Sequence, residues 1–166
     1  MKILIRSREN LKKMSEIPFD DGTAIISISD VGDEGVDLKF APEYLLRLEF
    51  DDVDNDVILD SLGRRANETE RESLERKYKM LSDAQADQIA SFYFDICDSI
   101  KTIVCQCEHG QSRSAAVAAA IMEYRTRRGI RVFSDDKYYP NKVVFRKVLA
   151  ALQNTEGKER RTPNGQ

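Results

Sequence analysis

The sequence predicts an α/β fold, a central and mainly parallel sheet flanked by helices on both faces. Three observations carry that expectation. Short apolar, β-branched runs such as Thr23-Ala24-Ile25-Ile26-Ser27-Ile28-Ser29 alternate along the chain with segments of helical period, the order that builds parallel sheets. That run is β-branched and apolar enough for a strand covered on both sides. Residues 102–122 read as a buried strand, a short loop and an apolar helix, the unit that places a ligand beyond the carboxyl end of a strand. With 166 residues, 41% of them hydrophobic, the chain has the size and composition of one domain with a real core. Residues 1–153 are expected to form it, and 154–166 to be a polar tail without apolar period.

In order, residues 2–6 read as a strand, 9–14 as a short helix or turn, and 18–22 as a turn leading into the strand at 23–29. Two glycines among acids at 30–35 mark another turn. The strand at 44–50 empties into the acidic loop Asp51-Asp52-Val53-Asp54-Asn55-Asp56. Residues 62–79 are dominated by charge, and Leu74, Tyr78 and Leu81 keep helical spacing, so the segment reads as a solvated insertion with a marginal surface helix. Ser82-Asp83-Ala84-Gln85 is a capping box. It opens a helix whose Ile89, Phe92, Tyr93, Ile96, Cys97 and Ile100 recur at three- and four-residue steps. After the strand from Thr102, a helix is expected to stop at Gly129, with Arg125, Arg127 and Arg128 near its negative end. Pro140 is placed to serve as the first residue of a last helix carrying Val144, Phe145, Val148, Leu149 and Leu152.

Composition excludes several classes of function. A net charge of −3 argues against a general nucleic-acid binder. No apolar run is long enough to span a bilayer, and the N-terminus lacks the features of a signal peptide. Three cysteines without metal-like spacing form no disulfide framework. A reducing, cytoplasmic setting follows as the expectation, without membrane or nucleic-acid partners. Oligomeric state leaves no trace in the sequence.

The chemistry concentrates in Cys107-Glu108-His109-Gly110-Gln111-Ser112-Arg113-Ser114. A strand feeding a helix through such a loop aims backbone N–H groups at one point, and the helix N-terminus adds about half a positive charge. An oxyanion fits there, with Cys107 at the floor as a thiolate and the planar fork of Arg113 over the anion. Gly110 lets the backbone turn with positive φ and approach a phosphate, and the Ser114 hydroxyl is placed to donate to the sulfur. The bland alternative for Cys107 is an inert buried cysteine.

These residues resemble the signature of the cysteine-dependent protein tyrosine phosphatases, H-C-x-x-G-x-x-R-S/T, and within them the small dual-specificity group. The resemblance is specific over the site and the following helix. It implies a phosphatase-like phosphate-binding loop between strand and central helix, Cys107 as nucleophile, Arg113 as phosphate ligand, Ser114 as the hydroxyl residue, a cysteinyl-phosphate intermediate and no metal or other cofactor. The late position of Cys107 argues against the low-molecular-weight tyrosine phosphatases. Gln106 stands where the family has histidine, which predicts weaker activation of the thiol and reduced activity. His109, the only histidine in the chain, is a candidate to supply some positive potential.

Hydrolysis of a phosphate ester also needs a proton donor for the leaving group. In the family this is an aspartate after an upstream strand, and the register puts it at Asp52, with Asp51 and then Asp54 as alternatives. A calcium loop on Asp52, Asp54 and Asp56 fails, because the sixth position is Val57 and the twelfth Gly63. Cys105 and Cys97 read as packing. The expected function is a phosphomonoester phosphatase of protein-tyrosine or dual-specificity type, acting on a phosphorylated protein or a small phosphoester. A phosphate-binding pseudophosphatase is the alternative that Gln106 raises, and a rhodanese-type sulfurtransferase, which needs no upstream aspartate, is a third. No phosphotyrosine-specific loop is recognisable, which hints at a shallow pocket and broad acceptance.

Overall fold

A computed structural model describes residues 1–53, 69, 70, 72, 73 and 78–159. Four parallel strands, β1 (Lys2–Ser7), β2 (Thr23–Ser29), β3 (Tyr44–Glu49) and β4 (Thr102–Cys107), form one sheet in the order β1-β4-β2-β3. Among the described residues, the helices with defined bounds are α1 (Arg8–Met14), α2 (Asp83–Ile96), α3 (Arg113–Thr126), α4 (Ile130–Phe133) and α5 (Lys142–Glu159). The fold is therefore the expected α/β arrangement, with every strand pair parallel.

Side-chain alternation divides the sheet into two apolar faces. Ala24, Ile26 and Ile28 of β2, with Ile103, Cys105 and Cys107 of β4, face the main core of α2, α3 and α5. Ile25 and Val104 face the opposite way and are covered by Leu11 of α1 and by Val36. Helices thus pack on both faces, and Cys107 lies on the better covered one.

Helix α3 is buried nearly all round, so it has no polar stripe to offer. Ala116, Val117, Ala118, Ala120 and Ile121 face the main core, while Ala115 and Ala119 meet Val132, Phe133 and Phe145 on the far side. Small residues are what let neighbours approach on every side. At Gly129 a Cβ would fall 2.6 Å from the Ala119 carbonyl oxygen. The expected stop at Gly129 is corrected accordingly. The helix ends at Arg127, in left-handed conformation (φ 58°), and its N–H bonds the Glu123 carbonyl. Gly129 is needed for closeness, not for the turn.

Two further boundaries differ from expectation. Pro140 does not open α5; Asn141 does, its Oδ1 accepting from the Val143 and Val144 N–H groups at 3.1 Å each, the bonding of an N-cap. Helix α5 then runs to Glu159, beyond the last apolar contact at Leu152, carried on by intrahelical bonding such as Thr155 Oγ1 to the Ala151 carbonyl. The Ser82–Gln85 capping box forms as expected. The charged stretch 62–79 lies largely outside the described residues; Thr69, Glu70, Glu72 and Ser73 within it are helical. Among the described residues no helix is long and apolar enough to cross a membrane.

Candidate active site

The register brings the carboxyl ends of β1, β4 and β2 level, with Ser7 opposite Cys107 and Ser27 opposite Gln106. Beyond this edge the chain from Cys107 turns through 108–112 into α3. Gly110 takes φ +69°, and a Cβ there would lie 2.6 Å from Arg6 C and Ser7 N. The loop is thus seated on the β1–α1 junction, a contact that only glycine allows.

Cys107 is 2% exposed, and its sulfur lies 3.0 Å from the Ser114 hydroxyl. Ser112 occupies the N-cap position of α3 without capping it, and the first turn of the helix holds no acid. The N-terminal N–H groups of a helix have no intrahelical partner. Among the described residues no side chain takes them at this end, where the helix dipole favours an anion. Gln106 points to the other face of the sheet, where its Oε1 accepts from Ser27 Oγ at 2.7 Å.

Arg113 is 3% exposed and is held by one edge. Its Nη1 donates to the Phe50 carbonyl and meets Asp30 Oδ1, both at 2.7 Å. Its Nε is buried without a hydrogen-bond partner among the described residues, 3.8 Å from Asp52 Oδ2. A guanidinium with one edge anchored and Nε unengaged is prepared for a planar anion edge.

Asp52 reaches this point although β3 is not the neighbour of β4; β2 lies between them. The chain bridges that gap after Phe50, whose own N–H bonds the Ser29 carbonyl at the end of β2. Asp52 Oδ1 accepts from Ser112 Oγ at 2.7 Å and from Asn141 Nδ2 at 3.0 Å. Asn141 also donates to the Val53 carbonyl at 3.0 Å. Asp51 turns elsewhere, with Oδ1 3.5 Å from the Val31 N–H; Asp54, like Asp56 and Val57, lies outside the described residues.

The remaining loop residues separate. Glu108 pairs with Arg8, Nε to Oε2 2.7 Å. His109 and Gln111 are exposed, and the Gln111 carbonyl accepts from the Tyr139 N–H at 2.9 Å. Cys105 is wholly buried, and burial, reinforced by the charge of Cys107, pushes its thiol up to about 12. Burial and then Asp98 raise the Cys97 thiol. Both fit packing roles. Sequence reasoning missed Asp30 and Asn141. A single acid at the end of the middle strand had no pattern to mark it, whereas Asn141 between Pro140 and an apolar helix carried a cap signal.

Solved structures of PTPMT1, a dual-specificity-type cysteine phosphatase, are similar to this chain in their α/β fold. PTPMT1 in complex with PI(5)P matches with TM-score 0.52 and 10% identity, over 95% of this chain and 94% of that one. A second PTPMT1 structure gives 0.51 and 9%, over 97% and 96%. At such identity the likeness is one of fold. No family model and no curated protein matches the sequence.

Proposed function

We propose that the protein is a phosphomonoester hydrolase that works through a cysteinyl-phosphate intermediate. The observation that carries this reading is Cys107 held 3.0 Å from Ser114 in the first turn of α3, with the buried Nε of Arg113 3.8 Å from Asp52. The Cys107 thiolate attacks phosphorus in line, forming the S–P bond as the P–O bond to the leaving group breaks. Arg113 and the loop N–H groups hold the phosphoryl oxygens. Asp52, steadied by Ser112 and Asn141, gives its proton to the departing oxygen. It then takes a proton from water, whose oxygen attacks phosphorus and returns the thiolate, with Ser114 donating to the sulfur.

The fold likeness to a phosphatase supports hydrolysis of a phosphoester, and the PI(5)P bound to PTPMT1 brings phosphoinositides into the substrate panel beside phosphotyrosine and phosphoserine peptides. Cys107→Ser is expected to abolish hydrolysis of an aryl phosphate while tungstate still binds. Unchanged turnover in that variant would sink the proposal. Gln106 favours one second reading, phosphate binding without turnover; wild-type protein that binds a phosphopeptide and hydrolyses nothing at any pH would select it.

A further inference from the structure

The phosphate loop carries a carboxylate that the proposed chemistry does not use. Glu108 follows Cys107 directly, and a bare negative charge there would oppose the binding of a phosphate dianion. Arg8, at the start of α1, meets it. Its Nε lies 2.7 Å from Glu108 Oε2, an ion contact without hydrogen-bond alignment, and its backbone N–H donates to the Glu108 carbonyl at 3.1 Å. Its Nη2 bonds Asp33 from the loop after β2. The three side chains are only 27%, 34% and 38% exposed at Arg8, Asp33 and Glu108, and the Gly110 contact presses the loop onto the residues just before Arg8. This is a network fixed by backbone as well as by charge, so it is worth more than an isolated surface pair. The bond to Asp33 raises the pKa of Arg8 further, against the opposing pull of burial, so the guanidinium stays charged wherever the enzyme works.

We infer that Arg8 is a positioning residue of the phosphate site: it neutralises Glu108 and draws that carboxylate toward the β1–α1 junction, leaving the loop attractive to a dianion. The inference rests on the phosphatase reading, and it assigns the site a second arginine that never touches substrate. Arg113 is flanked by Asp30 and Asp52, and Arg8 by Asp33 and Glu108. Each cation thus sits between two acids, and losing Arg8 leaves Glu108, the one that belongs to the loop itself, without its counter-charge.

The test is a double-mutant cycle on the whole chain, read by tungstate binding in calorimetry and by KM and kcat for an aryl phosphate. Arg8→Gln is expected to weaken tungstate binding and raise KM about tenfold, the weight of one uncovered charge at this range. The change in kcat should be small. Adding Glu108→Gln should bring both back to near wild type. In 1 M KCl, where screening acts within about 3 Å, the Arg8→Gln deficit should shrink. A deficit that persists in the double variant or in high salt would make Arg8 merely structural and overturn the inference, as would Arg8→Gln binding tungstate like wild type. Should Arg8→Gln fail to fold, Glu108→Gln alone decides, since it should tighten tungstate binding roughly threefold at low salt and no change would refute the charge argument. Wild-type protein that binds no tungstate overturns the phosphatase reading as well; binding that is indifferent to Arg8 overturns the inference alone.

Discussion

The two halves of the candidate site are built on opposite principles. The half that carries the proposed nucleophile, 107–114, is contiguous in sequence, buried at Cys107, Gly110, Arg113 and Ser114, and shaped by backbone: a strand end, a positive-φ glycine and a helix N-terminus. The acid half is held by side chains from afar. Asp52 is fixed by Ser112, 60 residues on, and by Asn141, 89 residues on, and its carboxylate remains about one-third exposed. A backbone cradle resists most side-chain changes and fails when its backbone is strained. A side-chain clamp can be released without unfolding anything, because α5 and the sheet do not depend on Asp52.

That difference sets the size of the expected effects. Gly110→Ala should be the most damaging. A methyl group at φ +69° would sit 2.6 Å from two backbone atoms of Arg6 and Ser7, neither of which is a flexible side-chain end. The left-handed conformation costs a non-glycine residue about 1–2 kcal/mol, and overpacking adds roughly 1–3 kcal/mol. A fall in Tm on the order of 10 °C is expected, with aryl-phosphate turnover lost as the loop lifts off β1. Thermal melting beside steady-state assay measures both. A variant as stable and active as the parent would show that the loop is not seated by this contact.

Asn141→Ser attacks the other half and should separate stability from activity. Serine caps a helix about as well as asparagine, so α5 keeps its start, but the shorter side chain no longer reaches Asp52 and Val53. The Tm should change by no more than about 2 °C, while kcat should fall roughly tenfold, the scale of a misplaced proton donor. A large loss of stability with kcat preserved would mean that Asn141 serves the helix alone.

The same contrast explains what the sequence disclosed. The strands, the capped α2 and the strand–loop–helix unit from Thr102 rest on local rules of periodicity, capping and glycine conformation, and they stand where those rules put them. Asp52 stood ahead of Asp51 and Asp54 only through the register of its strand against the resembling family, because nothing in the segment itself distinguishes it from Asp51. The distinction comes from partners: Asp51 turns to Val31, and Asp52 turns to Ser112 and Asn141. Asp30 was invisible for the same reason. Its role depends on β2 lying between β3 and β4, and strand order is a property of the whole sheet rather than of any segment. The end of α3 shows a local rule misapplied, since Gly129 was read as a turn residue although a packing constraint holds it.

Gln106 tests the boundary between the halves with the smallest effect. It belongs to the backbone-built half by sequence but acts through a side chain, accepting from Ser27 on the face of the sheet away from Cys107. Gln106→His restores the residue found in the resembling family and a group able to carry charge beneath the loop. At 1% exposure burial opposes that charge, so the gain is limited. An increase of about three- to tenfold in kcat/KM is expected, largest on the acidic side of the pH profile, where the imidazole is more often protonated. Stability should drop by roughly 1 kcal/mol if the Ser27 bond is not remade. A uniform gain at all pH values would point to loop orientation as the cause. No gain at all would mean that Gln106, held by Ser27, already supplies the orientation that the loop needs, and that the positive potential comes from Arg113 and α3 alone.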